Sequence, residues 1–350
     1  MVLIRRIVQT RLDNRQAVAV ITDGVLDDFV FQPPASEIEP GTILSGIVER
    51  ALSSQGAWIV RLGKQRRGFL RCASPLREGE PLRVQVSGYA DQGKLIPLTT
   101  RLEIRGRYLV ATNSRRAVTI SGKINDPEAR ERIRQRVQRA TTHHDDALGF
   151  IVRSSAMFAS DRQLTDDLDR LSRDYGQIMK QGPGDQFTIL GFPPSILDRM
   201  IANWGDTASL DIVSGGDTFD QESIFEMLEP FINRKAPLSN GGNLVVEPTH
   251  AFVAIDVNSG RDLSGKSGLH TNLAAARELP RHMRIRGLGG QIVIDFVPLT
   301  DRGRQQVEDT LRQAFLADRV ATTLVGWTRL GHYEIHRHRE RYPLCRWLEE

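Results

Sequence analysis

The chain has 350 residues, 40% of them hydrophobic and 26% charged, with 47 Lys and Arg against 43 Asp and Glu for a net charge of +4. That length holds about two to three ordinary domains, and the apolar fraction excludes a disordered tail. No apolar run approaches the roughly 18–20 residues of a membrane span, and the start, MVLIRRIVQTRLDNR, turns charged too early for a secretory signal. Cys72 and Cys345 are too few for a disulfide framework, which fits a reducing compartment, so the expected location is the cytoplasm, with no membrane partner. Arginines cluster over 101–139 and 329–346, and basic clustering favours a polyanionic partner.

In chain order, IVQTRL, AVAVIT and DDFVF alternate as strands separated by Asn-Arg and Asp-Gly turn signals, until QPPASEIEPG breaks the pattern. The stretch 41–100 then offers TILSGIVERAL, GAWIVRLG, RRGFLR, PLRVQVSGYA and KLIPLTT. About five short strands in such a span predict a small barrel of the OB type. Trp58 and Phe69 lie on these strands among Arg61, Lys64, Arg66, Arg67 and Lys94. Aromatics interleaved with cations form a single-strand binding pattern, since bases stack on rings while cations track phosphates; the competing reading is that both rings are core. Helices are expected over 127–140 and 161–180, the second with Leu164, Leu168, Leu171, Tyr175 and Ile178 on one face. Between them GFIVRSS reads as a strand ending in Arg153, Ser154 and Ser155, a combination able to grip a terminal phosphate. QGPGDQ is a turn or linker, followed by a strand FTILGF, a helix over 194–204, a strand SLDIVSGG and a helix ESIFEMLEPFI.

From about 232 the order strand, helix, strand, helix, strand predicts a layered α/β domain. AFVAIDVNSG and QIVIDFV each run an apolar strand into an aspartate, Asp256 and Asp295. Strands this apolar are expected inside a covered sheet, so the aspartates should emerge at its lip, where ligands of α/β sheets gather. Mg²⁺ takes one or two carboxylates and leaves its other positions to water and phosphate, so the pair suits phosphodiester chemistry. Thr271 is the expected N-cap of a helix that Pro280 should kink or split and that Gly287, Gly289 and Gly290 should end. A helix over about 302–317, a strand ATTLVGWT and a basic tail complete the chain.

At LSNGGNLVVEPT, AFVAIDVNSG, TNLAAAREL and RIRGLGGQIVIDF the chain strongly resembles the bacterial ribonuclease E/G family. The match is dense over 238–330 and loose before 190. The resemblance implies a multidomain α/β protein. Residues 1–39 with 187–231 would form an RNase H-like structural subdomain, 40–100 an OB-fold RNA-binding domain, 101–186 a 5′-sensor subdomain and 232–350 a DNase I-like catalytic subdomain. It further implies a Mg²⁺-dependent endoribonuclease of RNA processing or decay, with Mn²⁺ as a substitute ion, that cleaves single-stranded RNA to 5′-phosphate and 3′-hydroxyl products. Matched residue by residue, Asp256 and Asp295 are the metal-binding carboxylates and Asn258 the supporting amide. Trp58 (in place of the usual phenylalanine), Phe69 and Lys94 are the RNA contacts of the barrel. Arg153 and Ser154 (in place of threonine) hold a 5′-monophosphate.

Several positions depart from the family pattern. The sensor's Gly-Gly-Ile-Ser reads Val118, Thr119, Ile120 and Ser121, the basic residue lent to the sensor falls at Ala321 or a neighbour, and an acidic residue after the second aspartate is Pro298, with Asp301 the candidate substitute. The Cys-Pro-x-Cys zinc link is absent, leaving Cys345 alone in YPLCRW, so any homodimer or homo-oligomer is expected to form without a paired-cysteine zinc bridge. Two rival readings are a non-catalytic RNA-binding protein of the same fold, and a zinc protein using His332, His336, His338 and Cys345. The second is the weaker, because a solvated or RNA-facing basic tail accounts for those residues.

Overall fold

The computed structural model describes residues 4–72, 74–91, 93–114, 116–122, 124–141, 148–184, 186–205, 210–260 and 265–349. The chain divides into two compact units, Pro34–Ala208 and Met1–Pro33 with Ser209–Glu350.

In the first of these, five strands, Ile43–Leu52, Ala57–Leu62, Arg66–Arg71, Pro81–Val86 and Ile96–Thr99, close into a barrel. The first strand pairs with both the second and the fourth, while the fifth lies parallel to the third and antiparallel to the fourth. Leu44, Val60, Leu62, Leu70, Val84, Val86 and Leu98 fill it. Gly68 is required by the closeness of the walls, because a Cβ there would stand 2.2 Å from Leu98 Cδ1. The same unit holds a four-stranded sheet of Glu103–Arg105, Leu109–Thr112, Val118–Ile120 and Gly149–Val152. Helices Pro127–Thr141 and Asp161–Lys180 bury Ile133, Val137, Leu164, Leu168 and Leu171 in the core beneath it. The longer helix starts sharply because Ser160 and Gln163 form a reciprocal capping box.

The other unit begins with a meander of Arg5–Leu12, Arg15–Thr22 and Val25–Phe31, to which Leu210–Ser214 adds in parallel beside the first strand. The first turn falls at Asp13 and Asn14, both at positive φ, one residue earlier than the Asn-Arg signal placed it. Its second sheet has six strands in the order Lys235–Pro237, Asn243–Pro248, Val253–Asn258, Gly290–Asp295, Tyr333–Arg337, Thr322–Trp327. Only the central pair is parallel, joined by the helix Gly265–Ile285.

Three sequence expectations change here. The sheet is covered on one face only: the 265–285 helix and the helix Asp301–Ala317 contribute Ala275, Leu279, Met283, Val307, Leu311 and Phe315 to the core that buries Ile255, Val257, Ile292 and Ile294. Asp256 and Asp295 alternate with those residues and point to the other, open face, with Asp295 the last residue of its strand as expected. Thr271 lies inside its helix, which begins by Gly265 and runs past Pro280 to Ile285 as one element. The basic tail contains a strand, Tyr333–Arg337, inserted between the strands 290–295 and 322–327. Tyr333 and Ile335 are buried on its covered face, and the burial of Arg337 is compensated by a carboxylate.

That carboxylate is Asp318, which accepts from Arg337 Nη1 at 2.6 Å and from Arg284 Nη1. Burial pushes the Asp318 carboxyl up, but Arg337 and Arg284 outweigh it and hold the group below the usual carboxylate range. Arg284 also donates to the carbonyl of Asp27 at 2.7 Å, and Arg341 reaches the buried Asp28 at 2.8 Å. This chain of buried ions locks the meander, the 265–285 helix and the Tyr333–Arg337 strand together. Near it His282 is buried against the Phe231 ring, and burial, reinforced by Arg286 and Arg281, lowers its pKa to about 3.

Candidate functional site

The open face of the six-stranded sheet carries Asp256, Asn258, Gln291 and Asp295, which alternate with the buried apolar residues of the covered face. In the parallel central pair Asp256 is the direct register partner of Asp295, so the two carboxylates stand side by side about 4.8 Å apart at the backbone and on one face. Both are exposed. Asn258, two residues beyond Asp256 and therefore on the same face, donates its Nδ2 to Asp256 Oδ2 at 2.8 Å. That bond sets the rotamer of the carboxylate. Among the described residues neither aspartate forms an ion pair with an arginine or lysine.

Buried polar side chains hold the surrounding backbone. Asn272, fully buried on the crossover helix, donates Nδ2 to the carbonyl of Val297 at 2.8 Å and accepts from its N–H at 3.1 Å, which clamps the chain just after Asp295. One residue earlier, Thr271 Oγ1 accepts from Asn240 Nδ2 at 2.9 Å and tethers the LSNGG turn next to the strand 243–248. The helix thus braces both sides of the carboxylate pair from below.

Continuing the antiparallel register of Ile294 with Tyr333 by one residue brings His332 opposite Asp295. Its Nε2 stands 3.8 Å from Asp295 Oδ1. A short loop fixes the backbone of His332 there: Thr328 N donates to His332 O at 2.7 Å, His332 N to Thr328 Oγ1 at 3.2 Å, and Gly331 adopts φ +96° at the tip. Asp256, Asp295 and His332 form one row, with His332 immediately before the strand Tyr333–Arg337.

The donor chemistry fits a hard divalent cation held by two carboxylates, with its remaining positions taken by water and substrate oxygen. Among the described residues no group of three or more His, Cys, Asp or Glu side chains is arranged to hold a metal ion by itself. His332, His336, His338 and Cys345 are not gathered: His332 faces Asp295, His336 pairs with Gln291, and His338 Nδ1 lies 3.9 Å from Glu340.

Residues 103–214 and 205–340 match the sequence model of the Ribonuclease E/G family, and those two segments span more than half of the chain. The chain belongs to the ribonuclease E/G family. Ribonuclease G of Escherichia coli (strain K12) is 26% identical over 384 aligned residues, which cover 93% of this chain and 78% of that protein. Ribonuclease E of Haemophilus influenzae is 27% identical over 400 residues, covering 96% of this chain and 42% of its own length. Ribonuclease E of Escherichia coli (strain K12) is 28% identical over 398 residues, 96% of this chain and 37% of that protein. In this ribonuclease E/G member the matched region contains Asp256, Asn258, Asp295, His332, Arg153 and Ser154.

The barrel separates two of its expected RNA contacts, Trp58 and Phe69. Trp58 is the register partner of Leu70 and packs against the barrel core, whereas Phe69 pairs with Ile59 on the opposite face of the same ribbon. Phe69 is half-buried, shares its face with Arg67 and Arg71, and has the Arg71 guanidinium 5.8 Å from its ring centre. Lys94 is exposed and pairs with Asp91 at 2.7 Å. Arg153 donates Nη1 to the carbonyl of Gly106 at 2.9 Å and Nη2 to Asn203 Oδ1 at 2.6 Å, so its guanidinium serves internal acceptors. Ser154 opens the short 3-10 turn that follows. Arginine is rich in donors, and nothing in the sequence marks Gly106 and Asn203 as their acceptors.

Sequence reasoning missed His332 as a neighbour of Asp295, and Asn272 as a clamp. A register count from Asp295 across the tail strand would have found the histidine, had the tail been read as a strand. Asn272 carries no local signal, because its partner is 25 residues away.

Proposed function

We propose that this chain is an endoribonuclease that cleaves single-stranded RNA by metal-assisted hydrolysis, giving 5′-phosphate and 3′-hydroxyl ends, in RNA processing or decay. The observation that carries the reading is the register match of Asp256 with Asp295 on an open sheet face, with Asn258 bonded to the first. Mg²⁺, or Mn²⁺ in its place, would be held by Asp256 and Asp295 and would supply Lewis-acid polarisation of the phosphate and a water of lowered pKa. Asn258 orients one carboxylate through its amide N–H. The open face leaves room for a polynucleotide strand to lie across the row.

On this reading the substrate is unpaired, because an A-form duplex hides its base faces. Phe69, with Arg67 and Arg71 on its face, supplies a stacking surface; Lys94 supplies a phosphate contact; Trp58 supports the ribbon from inside. The family's finer subdomain scheme, with an RNase H-like meander and a DNase I-like nuclease sheet, is part of the same proposal. The 5′-end reading of Arg153 and Ser154 competes with the internal bonds that Arg153 makes. Equal rates on 5′-monophosphate and 5′-hydroxyl versions of one RNA would remove it.

The deciding experiment is cleavage of a single-stranded RNA by wild type and Asp295→Asn with Mg²⁺ and with EDTA. The reading requires product from wild type with Mg²⁺ alone. RNA binding without any Mg²⁺-dependent product would replace it with a non-catalytic RNA-binding protein of the same fold.

A further inference from the structure

Resting on the endoribonuclease reading, we propose that His332 is a substrate-contacting residue whose imidazole donates a hydrogen bond to a non-bridging oxygen of the RNA phosphate seated beside Asp256 and Asp295.

The row built by strand register ends in an imidazole. Two carboxylates side by side repel a phosphodiester, so a phosphate brought to this face needs donors on the protein as well as a cation. His332 stands in that place. At 3.8 Å its Nε2 is too far from Asp295 Oδ1 for a direct hydrogen bond, and the side chain makes none with any described residue. A neutral imidazole still carries one N–H, so the contact does not depend on the histidine being charged.

The loop that presents His332 is fixed and uncovered. Its backbone closes through Thr328, and Arg304 lies 5.2 Å over the Trp327 ring at its base. Leu330 at the tip is 86% exposed, and the His332 side chain is 37% exposed. A strand crossing the open face therefore meets the imidazole without any part of the loop having to move. The alternative role, a third metal ligand, lacks the close cluster that it needs among the described residues.

The test uses the full chain and a short single-stranded RNA cut at one mapped position, made with oxygen or with either phosphorothioate diastereomer at that phosphate. Sulfur accepts hydrogen bonds weakly. Wild type should therefore disfavour one diastereomer by about tenfold, the scale of a hydrogen bond to a charged group, and Mn²⁺ or Cd²⁺ should not relieve this. His332→Leu should lose that discrimination and cut the oxygen substrate about tenfold more slowly, while His332→Gln, which keeps an N–H donor, should retain most of both. Independently of turnover, adding His332→Leu to Asp295→Asn should weaken binding of the same RNA severalfold by fluorescence anisotropy. His332→Leu with wild-type discrimination and unchanged affinity would overturn the inference, and thermal melts of both His332 variants establish that they fold. If Asp295→Asn cleaves like wild type, the endoribonuclease site itself falls; if it is silent while His332→Leu matches wild type, only the role of His332 falls.

Discussion

Two pairs of aspartates in one unit meet opposite fates. Asp28 and Asp318 are buried and surrounded by Arg284, Arg337 and Arg341. Asp256 and Asp295 are exposed, stand beside each other, and among the described residues have an amide and an imidazole, but no arginine or lysine, as side-chain polar partners. Burial of a charge is tolerable only with compensation, so a carboxylate that the fold needs is given its counter-ions by the fold. A pair left without them, in register and braced from below, is available for a cation and a phosphate. The contrast separates acids with buried counter-ions from the exposed pair on which the proposed function rests.

The sharpest way to break this comparison is to remove one acid from each pair. Asp318→Ala leaves two buried guanidinium groups without their partner and should lower the stability of the unit by about 3–5 kcal/mol, read from urea denaturation. Asp295→Asn should do the reverse: melting unchanged within about 0.5 kcal/mol, and cleavage slowed on the order of a thousandfold, read from product formed with Mg²⁺. If Asp295→Asn unfolds the protein, or Asp318→Ala leaves it intact, the division between the pairs is wrong.

A smaller effect comes from His282, a buried histidine with a strongly lowered pKa. Its folded value of about 3 lies below the unfolded value of 6.5, so the unfolded chain binds the proton first and stability falls as pH drops through that window. Between pH 6.5 and 5 this group alone should remove about 2 kcal/mol. In His282→Leu that part of the slope should vanish, which denaturation at several pH values reads directly. Smaller again, Asn258→Ala should slow cleavage about tenfold with little change in melting, the scale for a group that orients a metal-binding side chain.

Much of the fold was legible because local patterning agreed with the tertiary outcome. The five barrel strands, the helix over 161–180 and the two aspartate strands follow the periods 2.0 and 3.6 that burial on one face demands. The tail was illegible for a stated reason: Tyr333 and Ile335 alternate as a strand should, but Arg337 and the flanking basic residues mask the pattern, and only Asp318 makes the buried arginine admissible. The open face is masked in the sequence on a similar ground. Val253, Ile255, Ile292 and Ile294 all belong to the covered side, while Ala254 and Val293 dilute the polarity of the other. The side of the barrel wall that Trp58 takes is likewise hidden in the sequence, because composition cannot tell which way an aromatic on a barrel strand points.

By itself the sequence determined that Asp256, Asn258 and Asp295 are strand residues of an α/β unit, and that a small barrel precedes it, because strand period and turn residues are local properties. Only the tertiary structure decided that Asp256 and Asp295 are register partners, that His332 completes their row, and that Arg153 is held by Gly106 and Asn203. Register and pairing are relations between segments distant in the chain, selected by the packing of the whole sheet and its helices, and no window of sequence contains them.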